Sequence, residues 1–386
     1  MIVSRIKLKN WRNFQEVDVP LRERMFLVGP NASGKSNLLD VFRFLRDIAK
    51  SEGGGLQKAV RDRGGISKLR CLFARREPQI EIEVQLADTP DAEPAWRYSI
   101  GIRQETRGNR QPYLVHEKVW KNNDLILNRP DEEDKKDIHR GTQTHLEQIN
   151  TNEHFRDIAR FFESVTYLHL VPQLLRYADA FQGKRLEDDP FGQGFLEKIA
   201  KAQTGTQKSR LHKIEEALRI AVPQLKQLRF ARDEVTGRPH LEALYEHWRP
   251  KAGWQREDQF SDGTLRLIAL LWSLLEGESL LLLEEPELSL NIGIINQLAS
   301  LIYQMQRQRK RKRQILVSTH SADLLADSGI DGREILLLTP RKEGTAVAVA
   351  GDIKEVRILL EAGLSVADAV LSRTKPRNVE QLGLFP

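Results

Sequence analysis

Apolar and polar residues form three successive patterns in the first fifty positions of the chain. Residues 5–9 (RIKLK) alternate polar and apolar side chains, as a half-buried β-strand does. The apolar run MFLV at 25–28 predicts a second strand, and the apolar positions between 38 and 48 share one face of a helix. The glycine-rich pieces EGGGL and RDRGGIS that follow are typical of loops.

The middle of the chain changes pattern twice. From about residue 80 to 128, the alternation in QIEIEVQL, WRYSIGIR and YLVHEKVW predicts an antiparallel sheet. RPDEEDKKD then indicates a polar connection. Helical patterns at 154–164 and 211–221 flank the strand-like VTYLHLV, and LKQLRFAR and HLEALYEHW form a predicted strand pair around DEVTGRP.

The last third alternates helix and strand. Helices are predicted at 264–275 and 292–308, and strands at 280–283 and 315–318. Such alternation favours a parallel sheet with helical crossovers and therefore an α/β protein. EILLLTP and TAVAVA then predict two further strands, before a helix from about Lys354 and a polar tail.

Composition narrows the class of protein. The chain has 386 residues, 40% hydrophobic and 30% charged, enough for one large domain or two ordinary ones. It contains no apolar run of about 18 residues, so we expect no membrane span. The start, MIVSRIKLKNWRNF, is too charged for a signal peptide, and Cys71 is the single cysteine. These features predict a cytoplasmic protein without disulfides.

One segment accounts for the net charge of +6. RQRKRKR, residues 307–313, has six basic residues among seven, and without them cations and acids would be equal in number. The run could neutralise several phosphates of a nucleic acid. A solvated helix end, where cations complement the helix dipole, is the alternative. The candidate contacts are Arg307, Arg309, Lys310, Arg311, Lys312 and Arg313.

Residues 29–36, GPNASGKS, match the pattern GxxxxGK[ST] in full, between a predicted strand and a predicted helix. Glycines let backbone N–H groups surround phosphate oxygens, and the helix N-terminus adds partial positive charge. Lys35 is expected to reach the β- and γ-phosphates, and the Ser36 hydroxyl to bind Mg²⁺. The pattern predicts a nucleoside triphosphate site.

Two further places carry candidate chemistry. Ser261 is a predicted N-cap in FSDGT, and such a helix start binds anions, although capping alone explains most such turns. Glu284 and Glu285 follow the strand at 280–283, at the edge where α/β sheets bind ligands. One acid could orient the magnesium shell and the other polarise the attacking water. His320, after the strand at 315–318, could bond the γ-phosphate or that water.

Four motifs in this order resemble the ATPase head of the RecF/SMC-like class of ABC-type ATPases. GPNASGKSN (29–37) resembles its Walker A, FSDGT (260–264) its signature, LLLLEEPE (280–287) its Walker B, and STHS (318–321) its switch histidine. IKLKNWRNF also looks like the first strand of the class. The resemblance covers about 1–49 and 260–323. It implies an α/β fold, namely a two-lobed ABC-type P-loop NTPase core with an antiparallel β subdomain and an inserted helical lobe.

The resemblance also suggests a division of the chain. We expect 1–130 and 226–386 to form the N- and C-terminal parts of the ATPase core, and 131–225 to form the helical lobe. The chain lacks a long heptad pattern, and little of it follows the switch motif. We therefore expect a compact head without a long coiled coil or a C-terminal nuclease domain.

In this class two heads enclose two ATP molecules, so the resemblance implies ATP, Mg²⁺ and a homodimer or higher even oligomer. The implied catalytic residues are Lys35, Glu285 and His320. The implied magnesium ligands are Ser36, Glu284 and Gln173, the last as a Q-loop residue. The implied nucleotide contacts are Gly29, Asn31, Gly34, Lys35, Ser36, Asn37 and Gln173, with Ser261 and Gly263 from the partner copy. Arg12 is a weaker candidate for phosphate contact.

This sequence departs from the class at two positions. Glu284 replaces the usual Asp, and Asn291 stands where His is common. Glutamate keeps the oxygen ligands that Mg²⁺ needs, but it is longer by about 1.5 Å, and misplacement on that scale lowers rates by ~10²-fold. We therefore expect an active ATPase. Its hydrolysis of ATP is expected to be slow if the longer side chain of Glu284 misplaces the metal.

Several roles fit such an ATPase. The resemblance favours a DNA-linked sensor or clamp that works with a separate effector protein, such as a nuclease, in anti-phage defence. A RecF-like DNA repair ATPase and a nucleotide-gated scaffold with little turnover are the alternatives. A transporter subunit is the least favoured, because the chain has no recognisable segment for coupling to a membrane partner.

Overall fold

The computed structural model describes residues 1–74, 77–105, 110–177, 189–246, 253–307 and 313–374. Its strands, β1 to β15 in chain order, are Ile2–Trp11, Phe14–Pro20, Arg24–Val28, Ile80–Ala87, Trp96–Gln104, Pro112–Lys121, Asp124–Arg129, Thr166–Leu168, Leu225–Arg232, Pro239–Tyr245, Gln255–Arg256, Leu281–Glu284, Ile315–Thr319, Ile335–Arg341 and Gly344–Val349. Its helices, α1 to α13, are Lys35–Ala49, Leu56–Arg61, Ile66–Leu69, Glu132–Lys136, Arg156–Glu163, Pro172–Arg176, Phe195–Lys201, Thr204–Ala221, Asp262–Leu275, Ile292–Arg307, Ala322–Leu325, Lys354–Glu361 and Val366–Leu371.

The chain folds into two compact units. The first unit comprises Met1–Thr166, Ser279–Leu282 and Lys312–Pro386, and the second comprises Tyr167–Glu278 and Leu283–Arg311. The chain passes from one unit to the other within β8 and within β12. These units do not coincide with the predicted segments 1–130, 131–225 and 226–386, which remain a prediction about domain organisation.

The first unit contains an antiparallel sheet in the order β2-β1-β4-β5-β6-β7. Residues alternate between buried and half-buried along β4, as they do along β1, because one face of the sheet packs on the core and the other does not. The predicted antiparallel sheet between 80 and 128 is therefore confirmed. β2 was not predicted, although its sequence FQEVDVP alternates in the same way.

The second sheet of the first unit is built around β3. β13 and β14 pair with β3 in parallel, one on each side, and β15 pairs with β14 antiparallel. The first residues of β12 continue the sheet beside β13, where the Leu281 N–H donates to the Gln314 carbonyl at 2.9 Å. Every residue of β3 and β13 is buried, which explains their continuous apolar runs. The predicted parallel sheet is confirmed.

Two local expectations change. The connection RPDEEDKKD contains α4, because Asp131 and Asp134 form a capping box in which each side chain accepts from the backbone N–H of the other. The glycines of RDRGGIS do form a turn, with positive φ at Gly64 and Gly65, but α3 begins directly after them at Ile66.

The second unit has its own core. α8 and α9 pack with the sheet β11-β10-β9. Its strands β9 and β10 are the predicted strand pair, and they run antiparallel. Trp272 of α9 lies fully buried at the centre, with the Phe195 ring edge-on to it at 6.4 Å. This core supports both α9 and the helical start that contains Ser261.

Candidate functional site

Parallel pairing brings two predicted motifs to one edge of the sheet in the first unit. β3 and β13 run in register, with Val28 opposite Thr319. Gly29 and His320 therefore follow directly after neighbouring strand ends. Open α/β sheets bind ligands at this edge.

The phosphate loop requires its glycines for steric reasons. Gly34 has φ 96°, and a Cβ there would lie 2.2 Å from the side-chain amide nitrogen of Asn13. A Cβ on Gly29 would lie 2.6 Å from the Leu338 carbonyl oxygen. A side chain at Gly29 would collide with backbone, and one at Gly34 would displace the Asn13 side chain and strain a left-handed φ, so the fixed glycines of the motif have a direct structural cause.

Lys35 and His320 lie together at this edge. The ammonium of Lys35 donates to the carbonyl oxygens of Gly29 and Pro30 at 3.0 and 3.3 Å. Its nitrogen is also 3.4 Å from Nδ1 of His320. Lys35 is buried, whereas His320 is exposed. The structure thus brings together two of the three predicted catalytic residues, Lys35 and His320, at the phosphate loop.

The surroundings of the loop suit an anion. α1 begins at Lys35 without a side-chain cap and without an acidic residue in its first turn, so its positive end is not neutralised. Ser36 and Asn31 are exposed at this end of the helix. Among the residues described, the hydroxyls of Ser33 and Ser318 are buried and have no hydrogen-bond partner. Phosphate oxygens would satisfy such groups.

The turn between β1 and β2 also contacts the phosphate loop, through the side chain of Asn13. The Asn13 amide nitrogen donates to the Ser33 carbonyl oxygen and to the Thr345 hydroxyl, each at 2.9 Å. Its amide oxygen accepts from the Asn37 side chain at 2.8 Å. Asn37, a predicted nucleotide contact, is thus engaged with Asn13. Asn13 was not predicted from the sequence, although the stretch IKLKNWRNF contains it.

Arg12, the weaker candidate for phosphate contact, has a different partner. Its guanidinium donates to Asp40 of α1 at 2.6 Å, and Arg63 bonds the same carboxylate. Burial alone would raise the pKa of Asp40, but the attraction of Arg63 and Arg12 lowers it below its ordinary value. Arg12 therefore belongs to a buried ion cluster that anchors α1.

The second unit contains the signature turn. Ser261 caps α9 as predicted, with its hydroxyl accepting from the Thr264 N–H at 3.2 Å. A Cβ on Gly263 would lie 2.5 Å from the Ser289 carbonyl oxygen, so only glycine fits there. The close approach joins the start of α9 to the turn that follows the two glutamates.

Gln173 lies beside this turn. Its amide nitrogen donates to Asp262 at 2.9 Å, and Arg176 donates to the other oxygen of the same carboxylate at 2.7 Å. Gln173 is exposed, and the bond leaves its amide oxygen, which is the atom that a magnesium ligand would use. The structure thus groups Gln173 with Ser261 and Gly263.

Glu284 ends β12, and Glu285 follows with φ 46°. A non-glycine residue in the left-handed region is strained, and such strain is frequent at functional sites. The hydroxyl of Tyr167 donates to the Glu284 carboxylate, and His169 Nδ1 lies 3.3 Å from the Glu284 carbonyl oxygen. Tyr167 was missed because its partner is 117 residues away in the chain.

A half-buried cation, Arg266, also accompanies the acids of the second unit. Burial lowers the pKa of Arg266, while the charges of Asp262, Glu285 and Glu287 raise it, and burial prevails. Arg266 is on the first turns of α9, one turn after Asp262. The acids at the strand end therefore lie in the field of a positive charge that the sequence patterns did not reveal.

The donors suit magnesium in kind. Ser36 and Glu284 offer the hard oxygen atoms that Mg²⁺ prefers. The described residues contain no group of three or more His, Cys, Asp or Glu side chains that could hold a metal ion. A hydroxyl, one carboxylate and the phosphates of a nucleotide are the usual set for this ion, and such a set needs no protein cluster.

The basic run needs a correction at one end. Arg313 is 2% exposed, and its guanidinium donates to the Ser279 carbonyl oxygen, so it is a structural residue and not a candidate contact for nucleic acid. Arg307 is exposed, at 5.7 Å from the centre of the Tyr303 ring. The remaining candidates, Arg309, Lys310, Arg311 and Lys312, lie outside the described residues.

Within the part of the chain that is described, no helix is long and apolar enough to cross a membrane.

The fold, the phosphate loop of the first unit and the signature turn of the second unit are those of an ABC-type ATPase of the RecF/SMC class. Residues 24–327 match the family model described as "AAA domain, putative AbiEii toxin, Type IV TA system", and the chain belongs to this family. Membership confirms the resemblance drawn from the four motifs and implies that the protein binds a nucleotide.

Curated relatives match over shorter stretches. The chain is 33% identical over 98 residues to the DNA replication and repair protein RecF of Lactobacillus johnsonii, covering 25% of each protein. It is 30% identical over 162 residues to RecF of Gloeobacter violaceus, covering 39% of this chain and 40% of that protein. The chain therefore spans well under half the length of either relative.

Solved structures support the fold over nearly the whole chain. An Smc head bound to the C-winged helix domain of ScpA has a TM-score of 0.51 at 18% identity and covers 90% of this chain and 97% of that one. An Smc head from Pyrococcus furiosus, bound to the C-terminal domain of ScpA, has a TM-score of 0.51 at 16% identity, covering 94% and 99%. The predicted fold class, an ABC-type P-loop core, is thereby confirmed.

Proposed function

We propose that the chain is a magnesium-dependent ATPase in which Lys35, Glu285 and His320 are catalytic. The proposal depends above all on one observation, the contact of Lys35 and His320 at 3.4 Å beside a loop whose glycines at 29 and 34 leave no room for a side chain. A lysine at an uncapped helix start, with a histidine in contact with it, suits a triphosphate.

Each residue has a role that follows from its chemistry. Lys35 neutralises the β- and γ-phosphates, and the loop residues predicted as nucleotide contacts, Gly29, Asn31, Gly34, Lys35, Ser36 and Asn37, hold the phosphate oxygens, chiefly through backbone N–H groups. Ser36, Glu284 and Gln173 supply oxygen ligands for Mg²⁺, which when bound neutralises charge developing on the phosphates. Glu285 accepts the proton of the attacking water, and His320 donates to the γ-phosphate.

Lys35→Ala and Glu285→Gln separate binding from chemistry. We expect Lys35→Ala to weaken ATP affinity and to abolish hydrolysis. Glu285→Gln should keep the affinity and lower the rate by at least ~10²-fold, because only the proton acceptor is removed. Fluorescent-nucleotide titration and phosphate release measure both, with Lys68→Ala, an exposed lysine of α3, as the control. ATP affinity that survives Lys35→Ala would contradict the proposal.

At the biological level, the proposal is a DNA-linked sensor or clamp that works with a separate effector in anti-phage defence. The family description names a toxin of a type IV toxin–antitoxin system, which supports a partnered role. The RecF relatives support the alternative of a DNA repair ATPase. Co-purification with the products of adjoining reading frames separates the two, because a nuclease partner favours defence and replication proteins favour repair.

DNA binding by the basic run is a proposal with its own measurement. Replacing Arg307, Arg309, Lys310, Arg311 and Lys312 by glutamine should reduce DNA affinity and make the salt dependence shallower. The log–log slope should fall by about 0.9 for each phosphate that the protein no longer neutralises. Lys135→Gln with Lys136→Gln, two exposed cations of α4, is the control. Unchanged affinity and slope would remove the run from the site.

A nucleotide-gated scaffold is a second candidate, supported by Glu284 at the position where the class usually has Asp. A longer carboxylate that misplaces the metal would lower the rate of turnover. Steady ATP hydrolysis that Glu285→Gln abolishes would count against this candidate.

A further inference from the structure

β8 and the residue that follows it approach Glu284 from one side. Tyr167 and His169 are two positions apart, so their side chains project in the same direction. The Tyr167 hydroxyl donates to Oε2 of Glu284, and His169 Nδ1 lies 3.3 Å from its carbonyl oxygen. Side chain and backbone of the same glutamate are thus held together.

The hydrogen bond from Tyr167 is sheltered from solvent. Tyr167 is 8% exposed, and Glu284 is half-buried. A phenol that donates to a carboxylate forms a charge-assisted hydrogen bond, which is shorter and stronger than one between neutral groups. In a sheltered position such a bond restricts the rotamers of both side chains, and it commits one of the two carboxylate oxygens.

The length of residue 284 matters for this bond. An aspartate at the end of β12 would place its carboxylate about 1.5 Å nearer the backbone, and it would move away from the Tyr167 hydroxyl. Glutamate therefore has a structural purpose here, whereas the sequence pattern alone showed only a departure from the class. The longer side chain and the tyrosine form a matched pair.

We propose that Tyr167 is a positioning residue that holds the Glu284 carboxylate in the orientation needed for the metal–nucleotide complex. This inference rests on the proposed function, because it assigns Glu284 to magnesium. Tyr167 acts through Glu284 and touches neither the nucleotide nor the metal in this scheme. Removal of the phenol hydroxyl takes away one restraint on the orientation of the carboxylate, and a less well oriented carboxylate binds the metal more weakly.

A double-mutant cycle tests the pair. Wild type, Tyr167→Phe, Glu284→Asp and the double variant are titrated with Mn²⁺ in the presence of a non-hydrolysable ATP analogue, and free Mn²⁺ is followed by electron paramagnetic resonance. We expect Tyr167→Phe to weaken Mn²⁺ affinity roughly 3- to 10-fold in the wild-type background. In the Glu284→Asp background the same change should have almost no effect, because the shorter side chain no longer reaches the hydroxyl.

A second tyrosine provides the control for the same cycle. Tyr245→Phe removes a half-buried tyrosine hydroxyl elsewhere in the second unit and should leave Mn²⁺ affinity unchanged. Thermal denaturation checks that all variants fold. Equal effects of Tyr167→Phe in both backgrounds, or tighter Mn²⁺ binding in Tyr167→Phe, would overturn the inference.

The cycle also separates this inference from the proposed function. If the wild-type protein binds the analogue with Mn²⁺ dependence but Tyr167→Phe has no effect, only the role of Tyr167 fails. If Mn²⁺ does not affect analogue binding by the wild type, or if Lys35→Ala binds the analogue normally, the proposed function fails and the inference fails with it.

Discussion

Asn13 makes three side-chain hydrogen bonds that tie the β1–β2 turn to the phosphate loop, to α1 and to Thr345. The hydrogen bond from Asn13 fixes the Ser33 carbonyl oxygen, which then faces the β1–β2 turn. Asn13 therefore prepares the loop for phosphates without contacting them in the proposed scheme. A loop that is already ordered before the nucleotide binds loses less conformational entropy on binding, so its affinity is higher.

We expect Asn13→Ala to weaken ATP affinity roughly ten-fold, equivalent to about 1.4 kcal/mol. Asn13→Asp should weaken it further, because the carboxylate lacks the donor for Ser33 and adds a negative charge near the phosphates. Fluorescent-nucleotide titration measures both changes. Gln15→Ala, which removes a longer bond of 3.4 Å in the same hairpin, should have little effect. Equal affinity in wild type and Asn13→Asp would exclude this role.

At single residues, prediction from sequence depended on whether the motif alone specifies the chemistry. Lys35 and Ser36 could be predicted as site residues because a phosphate loop needs these residue types at fixed spacing. Asn13 and Tyr167 have partners 20 and 117 residues away, so no local pattern could point to them. Arg313 was misassigned because a basic run does not show which cation is buried.

At the scale of elements, hydrophobic patterns predicted strands well where burial is extreme. β3 and β13 are buried along their whole length, and their apolar runs produced a clear signal. α4 was missed because it is five residues long and depends on the capping box of Asp131 and Asp134 rather than on an apolar face. Local hydrogen bonding outweighed periodicity there.

One such locally bonded region of the first unit has a pH dependence that can be tested. The buried carboxylate of Glu117 accepts from the guanidinium of Arg129 at 3.0 Å and from the backbone N–H of His145 at 2.7 Å. Burial, reinforced by the positive charge of Arg129, lowers the pKa of His145 from 6.5 to about 4. The folded protein therefore keeps this imidazole neutral at pH values where the unfolded chain protonates it.

His145 makes the stability of the first unit depend on pH. Between pH 6.5 and about 4 the unfolded chain binds more protons at His145 than the folded chain does. The free energy of unfolding therefore decreases as the pH falls through this window, and the contribution of His145 is fully present above pH 6.5. The shift corresponds to roughly 3 kcal/mol once the pH is below both pKa values. Urea midpoints of wild type and His145→Asn at pH 7 and pH 5 measure the difference. His145→Asn should lose less stability on acidification, and parallel losses in the two proteins would contradict the assignment.

At the scale of the whole molecule, the predicted residues are shared between two compact units. The phosphate loop and His320 belong to the first unit, and the signature turn, Gln173 and the two glutamates belong to the second. The fold class was predictable because four motifs occur in a characteristic order. The unit boundaries were not predictable, because two of the four fall inside β8 and β12, where an apolar strand shows no sign of a division.

The ATP-sandwiched dimer that the resemblance implies can be tested by measuring the mass of the protein in solution. Ser261 is exposed at the start of α9, where capping leaves the remaining N–H groups of the first turn directed outward. If a second copy supplies this helix start to the γ-phosphate, Glu285→Gln should accumulate as a dimer with ATP and Mg²⁺, because hydrolysis no longer releases it. Light scattering after gel filtration should then give twice the mass of one chain.

Two further changes serve as controls for this dimer. Adding Lys35→Ala should return the protein to the monomer, since the nucleotide no longer binds. Adding Ser261→Arg should do the same while nucleotide affinity persists, because only the interface between copies is blocked. A Glu285→Gln protein that stays monomeric with saturating ATP would leave an ATPase site without the sandwich.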